Sequence, residues 1–228
     1  MVKICISGSK GKMGSRIVEL AKDDADIQIS GEFDVVEENP ETFVEGCDCL
    51  IEFTTPKATI DHLELCEKLK KAMVIGTTGL SDSEKERIGK ASKNIPILFS
   101  PNMSIGVNLL FKMVGEAAKV LGSEYHVSIV EAHHVEKKDA PSGTAKELAR
   151  IIKEKKAHAE VPIESIREDE IVGEHTITFE SDVDTIEITH SAKTRDIFAK
   201  GALAAAKFVS KKSSGLFSMQ EVLGSHRS

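Results

Sequence analysis

Val2-Lys3-Ile4-Cys5-Ile6-Ser7-Gly8-Ser9-Lys10-Gly11-Lys12-Met13-Gly14 joins a short apolar, β-branched run to a glycine-rich loop. Residues 2–6 predict a strand, and Met13 to Lys22 carries Ile17, Leu20 and Ala21 at helical spacing. Between them the three glycines spell G-x-x-G-x-x-G. Glycines there permit a tight turn, close backbone approach to a pyrophosphate, and tight packing of helix on strand. The helix start then offers unpaired N–H groups and a favourable dipole to an anion. A tight turn that holds nothing is the plainer alternative. Asp34 tips the balance toward a dinucleotide. It ends a second predicted strand, Ile27 to Phe33, where its carboxylate is placed to accept hydrogen bonds from an adenosine ribose.

The same carboxylate bears on which dinucleotide binds. It repels a 2′-phosphate, and Val35 and Val36 follow it with no arginine to compensate. Lys10 and Lys12 in the loop still attract that phosphate. The expectation is NADH or NADPH, with NADH at least as good.

Further along, strands at Cys49 to Phe53, Met73 to Ile75 and Ile95 to Phe99 alternate with helices. One helix opens at Thr54-Thr55-Pro56, and another at the capping box Ser81-x-x-Glu84. Strands alternating with helices predict a parallel sheet with crossover helices. Gly76-Thr77-Thr78-Gly79 and Ser100-Pro101-Asn102-Met103 follow the fourth and fifth strands, at the ends where open α/β sheets bind ligands. Each reads as a ligand contact or as an ordinary connection. After Pro101 the rhythm changes. A long apolar helix, Ile105 to Leu121, precedes an alternating strand, Tyr125 to His134. Then come a helix from Thr144 to about Lys156, a polar connector, and a hairpin of His175 to Glu180 with Thr185 to Ser191. An alanine-rich helix, Asp196 to Lys211, closes the pattern. The first hundred residues read as α/β and the next hundred as α+β.

With 30 basic and 37 acidic side chains the formal charge is −7, and no basic run with interleaved aromatics occurs, which argues against nucleic acid. No stretch reaches the ~18 apolar residues of a membrane span, and the N-terminus lacks the apolar core of a signal peptide, so the expected location is cytoplasmic. Cys5, Cys47, Cys49 and Cys66 show no metal-ligand spacing and read as reduced, buried thiols.

Chemistry concentrates in Glu131-Ala132-His133-His134-Val135-Glu136-Lys137-Lys138-Asp139-Ala140-Pro141-Ser142-Gly143-Thr144-Ala145. Neighbouring histidines on a strand face opposite sides, so His133 and His134 can serve different purposes. Pro141 to Thr144 starts a helix and makes a second anion site. A metal would want a third suitably spaced ligand, and none is obvious, so no metal is expected. A solvated loop accounts poorly for two His, two Lys and a glycine-bearing helix start so close together.

Gly8 to Gly14, Phe53-Thr54, Gly76 to Gly79, Asn102 and the block from His133 to Ala145 together resemble the 4-hydroxy-tetrahydrodipicolinate reductase (dihydrodipicolinate reductase) family. Gly173-Glu174-His175-Thr176, Glu187-Ile188-Thr189-His190 and Arg195 extend the match to nearly the whole chain. The resemblance implies NAD(P)H-dependent reduction of a small dicarboxylic substrate in the diaminopimelate route to lysine. It implies a Rossmann-type parallel-sheet domain over 1–104, completed by 196–228. An α+β domain over 105–195 would bind substrate and form a homotetramer. His133 matches the family's acid/base residue and Lys137 its proton donor. His134, Gly143 and Thr144 match its substrate-carboxylate contacts. Gly8, Ser9, Lys10, Gly11, Lys12, Met13, Asp34, Gly76, Thr77, Thr78, Ser100, Pro101, Asn102 and Met103 match its cofactor contacts. Val35 stands where many members carry Arg. Homoserine- or aspartate-type dehydrogenases share the loop but not the His133 to Ala145 block, and a dinucleotide sensor would need no proton donors.

Overall fold

The structure, a computed structural model, describes residues 1–34, 39–156 and 159–225. It divides into two compact units, one of Met1–Ile105 with the segment from Asp196 onward, the other Gly106–Arg195.

The first unit is a six-stranded sheet of β1 (Val2–Ser7), β2 (Ile27–Phe33), β3 (Cys49–Glu52), β4 (Ala72–Ile75), β5 (Pro96–Phe99) and β10 (Gly215–Phe217), in the order β10-β5-β4-β3-β1-β2. Every pairing is parallel. Crossover helices cover both faces, so the strands are apolar on both sides. Ile4, Ile6, Ile51 and Val74 face one core, and Cys5, Leu50, Met73 and Ile75 face the other. α3 (Pro56–Leu69) is capped by Thr55, and α4 (Asp82–Ala91) by the reciprocal Ser81–Glu84 box. Helices α1 (Lys12–Lys22) and α7 (Asp196–Val209) share the first core, into which α7 sinks Ala199, Ala202, Ala205 and Ala206. Two ion pairs tie them: Arg16 donates to both Asp196 oxygens at 2.9 and 2.7 Å, and Lys207 to both Asp24 oxygens at 2.9 and 2.7 Å.

The second unit pairs β7 (Ile163–Arg167), β6 (His126–His133), β8 (Gly173–Glu180) and β9 (Thr185–Ala192), in that order. β6 runs parallel to β7 and antiparallel to β8, and β8 runs antiparallel to β9. Val127, Ile129, Ile177 and Phe179 bury one face with residues of α5 (Ile105–Val120) and α6 (Gly143–Lys155). The other face carries His126, Ser128, Val130, Thr176, Thr178, Glu187 and Thr189, all exposed or half-buried.

Four expectations are corrected. The polar connector contains β7, an edge strand whose charged residues hide its alternation. The chain does not close on α7, because β10 adds a sixth strand beside β5 and α8 (Met219–Ser225) follows. Three residues are too few for a period to show. α2 (Glu41–Glu45), a single turn, was likewise not expected. Finally, β6 ends at His133, where the ladder to β7 stops at His133 opposite Arg167 and the ladder to β8 stops one residue earlier, at Ala132 opposite Glu174. His134 therefore lies beyond the strand, half-buried, and the two histidines do not alternate across a sheet.

Gly14 sits where the first helix presses on the loop: a Cβ there would lie 2.0 Å from the Gly8 carbonyl oxygen. Gly14→Ala must push α1 away from β1. Overpacking of this kind costs ~1–3 kcal/mol, and a urea titration should show the midpoint falling with the fold retained.

Candidate active site

In a parallel sheet the C-terminal ends of all strands meet one edge, and here those of β1 to β5 carry the loops singled out by the sequence. β2 and β3 lie on opposite sides of β1, so the winding reverses there, the switch point at which open α/β sheets take ligands. Gly8 leaves β1 at a φ of +76°, a left-handed conformation that suits glycine. Its N–H and that of Ser9 donate to the Phe33 carbonyl at 3.0 and 3.2 Å, lashing the loop to β2. The first residue before α1, Gly11, offers no side chain to cap the helix, and no acidic residue occupies its first turn. The helix start is therefore open to an anion. The Lys10 amide donates to Asp34 Oδ2 at 3.3 Å, so Asp34 stands beside the loop; Val35 and Val36 lie outside the described residues.

Gly76 follows β4, and a Cβ on it would strike the Phe53 ring at 2.3 Å. Thr77 is buried with its hydroxyl 2.9 Å from that of Thr59, whereas Thr78 is exposed. The Ser100 hydroxyl donates to the Asn102 carbonyl at 2.7 Å, and Asn102 Oδ1 accepts from the Ser104 amide at 2.9 Å. Pro101 is exposed; Met103 packs into the core, its carbonyl against Gly201. Beneath this edge lies a group that sequence reasoning passed over. Glu52, fully buried, accepts from the Thr54 amide at 3.0 Å and from the Thr54 hydroxyl, while its other oxygen lies 2.6 Å from His62 Nδ1.

In the second unit, β6 places Glu131 and His133 on one face, and the antiparallel register sets His175 of β8 opposite Glu131. Glu131 Oε2 accepts from His133 Nδ1; Oε1 accepts from Arg167 Nη2 at 2.9 Å and from the Ser142 amide at 3.3 Å. Burial would raise this carboxyl, but hydrogen bonds from Arg167, Ser165 and His133 outweigh it and hold Glu131 below the usual carboxylate range. Burial depresses His133, with Glu131 opposing, and pushes His175 down to about 4. The His133 and His175 rings meet edge to face with centroids 5.2 Å apart. His175 Nε2 lies 3.3 Å from the Ser142 hydroxyl, while its buried Nδ1 has no hydrogen-bond partner.

Ser142 also caps α6, accepting from the Ala145 amide at 3.2 Å. Just before it, Lys137 Nζ meets Asp139 Oδ1 at 2.8 Å. The hydrogen bond and charge of Lys137, with backbone bonds from Asp139 and Gly143, hold the Asp139 carboxyl below its usual range. Lys137 and Gly143 thus converge on a carboxylate, and Thr144 follows them in the same turn. Arg167 fastens this segment, donating to the Lys137 and Asp139 carbonyls at 3.3 and 2.6 Å.

Glu131, Arg167 and His175 received no role from the sequence. Glu131 and His133 could have been paired by their i, i+2 spacing on a strand; Arg167 and His175 come from other strands and gave no such signal. The expectation that no third metal ligand exists is corrected as well. Ligand atoms of Glu131, His133 and His175 all lie within 4.8 Å of one another. Both Glu131 oxygens are already engaged, however, and a guanidinium 2.9 Å away opposes a second cation. The arrangement reads as a hydrogen-bonded network.

An anion-ready glycine loop at the switch point of one unit, with a buried imidazole–carboxylate pair and a lysine in the other, defines a two-domain, dinucleotide-dependent oxidoreductase. Models of the dihydrodipicolinate reductase N-terminus and C-terminus match residues 2–103 and 106–223. The 4-hydroxy-tetrahydrodipicolinate reductases of Geobacter metallireducens and Geotalea uraniireducens are 38% and 37% identical over 265 aligned positions, covering 98% of this chain and 99% of each relative. The chain belongs to the dihydrodipicolinate reductase family. A dipicolinate-bound dihydrodipicolinate reductase from Paenisporosarcina sp. TG-14 shares the fold, with a TM-score of 0.87, 22% identity, and 98% and 100% of the two chains covered. Aspartate dehydrogenase from Thermotoga maritima is more distant, at a TM-score of 0.51 and 13% identity over 93% and 98% of the two chains.

His175, neutral when buried, makes folding sensitive to acid. Its folded pKa of about 4 lies below the ~6.5 of an unfolded histidine. The unfolded chain therefore binds the extra proton first, and stability falls as pH drops from about 6.5 toward 4, by up to about 3 kcal/mol. In His175→Gln, urea unfolding free energies should decline less steeply across that window than in the unaltered protein.

Proposed function

We propose that this chain reduces 4-hydroxy-tetrahydrodipicolinate to tetrahydrodipicolinate with NAD(P)H, in the diaminopimelate route to lysine. The observation that carries the reading is the convergence of Lys137 and the Gly143 amide on the Asp139 carboxylate. Groups that gather around one internal carboxylate suit a substrate bearing two. A substrate carboxylate arriving at Gly143 and Thr144 displaces Asp139, and Lys137 is released toward the reacting atoms. His134 contacts the other carboxylate.

Bound NAD(P)H supplies the hydride. Gly8, Ser9, Lys10, Gly11, Lys12 and Met13 cradle its pyrophosphate, Asp34 its adenosine ribose, and Gly76, Thr77, Thr78, Ser100, Pro101 and Asn102 line its path along the sheet edge. The cramped spaces at Gly14 and Gly76 support a loop drawn tight for that purpose. Met103 contributes by packing, since its side chain lies in the core. Loss of the 4-hydroxyl group as water gives a conjugated C=C–C=N system, and hydride addition to it leaves negative charge on ring and nitrogen. Lys137 as donor neutralises that charge as it forms, with His133 as the acid/base partner. The uncovered sheet face of the second unit, which carries Thr176, Thr178, Thr189 and Val130, supports a homotetramer built across that face; the expected location is the cytoplasm. Oxidation of NADH and of NADPH, followed by the loss of reduced-nicotinamide absorbance, tests the reading: turnover must require the enzymatically generated dicarboxylate, and turnover without it would sink the reading.

Lys137→Ala should lower kcat by ~10²–10⁴-fold, the scale of general acid catalysis, with cofactor affinity unchanged. Thr144→Val, which keeps shape but loses the hydroxyl, should raise the substrate KM. A change in cofactor Kd alone would place these residues elsewhere.

Cofactor choice follows from Asp34. Its carboxylate can accept ribose hydrogen bonds from NADH but repels the 2′-phosphate of NADPH, against the weaker pull of Lys10 and Lys12. Replacing Asp34 by Ser and Val35 by Arg should move preference toward NADPH, an advantage that shrinks in high salt. An unaltered enzyme preferring NADPH by more than about tenfold, ~1.4 kcal/mol, would show that the lysines outweigh the carboxylate.

A further inference from the structure

We infer that Glu131 is a positioning residue: held by Arg167, it fixes the ring of His133 with hydrogen on Nδ1 and leaves Nε2 as the atom that exchanges protons with substrate. This rests on the reading of His133 as the acid/base residue. A carboxylate with no exposure, on a central strand, is costly unless every lone pair finds a donor. Glu131 finds them on two sides. Arg167 Nη2 at 2.9 Å and the Ser142 amide at 3.3 Å approach Oε1, and His133 Nδ1 approaches Oε2. An ionised carboxylate can only accept, so the hydrogen between Glu131 and His133 belongs to the imidazole. In the neutral ring the other nitrogen then carries the lone pair.

The surroundings of Nε2 agree. Gly173 lies against it, and a Cβ there would stand 3.0 Å from Nε2. Glycine keeps that nitrogen uncovered. The charged and titratable groups around the ring are Glu131 on its own strand, Arg167 on β7, His175 on β8 and Lys137 in the following loop. Arg167 offsets the charge of Glu131, so the carboxylate can orient the ring without locking a proton onto Nε2. The same guanidinium holds the carbonyls of Lys137 and Asp139. One buried ion pair therefore sets the ring of His133 and the loop that carries Lys137 in a single frame.

The test is the tautomer itself, read from long-range ¹H–¹⁵N spectra of the full chain labelled at histidine nitrogen, with His133→Gln to assign the signals. The unaltered protein should show the His133 proton on Nδ1. In Glu131→Gln, Arg167 and the Ser142 amide still demand an acceptor, so the amide oxygen turns to them and the NH₂ turns to His133. The ring should switch to Nε2–H, and kcat should fall by at least ~10²-fold with cofactor affinity unchanged. An unaltered protein with the proton on Nε2 overturns the inference whether or not the variant folds. So does a Glu131→Gln variant that retains kcat when His133→Gln has lost it. If His133→Gln itself retains full kcat, the acid/base reading fails, and the spectra still decide the role of Glu131. A metal ion found in stoichiometric amount by elemental analysis and lost in His175→Gln would also overturn it.

Discussion

Parallel strands cannot be joined by tight turns, and most of this molecule follows from that constraint. Each return from β1 to β5 needs a crossover, so helices cover both sheet faces and the strands become apolar on both. All strand ends of one polarity then share an edge. The loops leaving β1, β2, β4 and β5 are brought together because the strands beneath them run the same way, although they come from positions as far apart as Gly8 and Asn102. Glycine recurs where this edge is crowded. Gly14 presses on the Gly8 carbonyl and Gly76 on the Phe53 ring, so the backbone itself is drawn close enough to meet a ligand.

Each sheet buries a glutamate beside a histidine near the end of a strand, and in each the carboxylate is saturated. Glu52 is met by Thr54 and His62, and Glu131 by Arg167, Ser142 and His133. Buried charges of this sort stabilise little in net terms, because the desolvation they suffer offsets the attraction they gain. Their consequence is geometric. A fully engaged carboxylate leaves its histidine one orientation, and the neighbouring loop, Phe53-Thr54 in one case and Lys137 to Ser142 in the other, is pinned by the same bonds. The two pairs differ in compensation. Among the described residues, Glu131 alone of the two has an arginine within hydrogen-bond distance, which offsets its charge beside the His133 ring.

The parallel sheet was legible because its signals are local: a strand, a glycine turn, a helix cap, each complete within a dozen residues. The Ser81–Glu84 box and the Thr55 cap appear in the structure as the residues require. β7 and β10 were illegible for opposite reasons. β7 is an edge strand whose Glu164 and Arg167 mask its alternation, and β10 is three residues long and exists only because β5 offers an unpaired edge. At the site, Lys137, Ser142 and Gly143 could be read as a unit because they lie in one segment. Arg167 and His175 could not, since register across β7, β6 and β8 brings them to Glu131, and register is a property of the assembled sheet.

The return of the chain completes the packing beneath the glycine loop. One face of the parallel sheet is covered by α1 and by α7, and α7 lies some ninety residues beyond the point where the chain leaves that unit. Residues 1–105 alone would leave Ile51, Val74, Leu98 and Met103 without the alanine face that covers them. At Gly201 the fit admits no side chain, since a Cβ would come within 1.7 Å of the Met103 carbonyl oxygen. The Arg16–Asp196 and Lys207–Asp24 pairs hold α7 along α1, the helix that follows the glycine loop. Movement of α7 would carry α1 with it and loosen Gly11 to Gly14 from Gly8. The helix that follows the glycine loop is therefore packed in part by residues contributed from the far end of the chain.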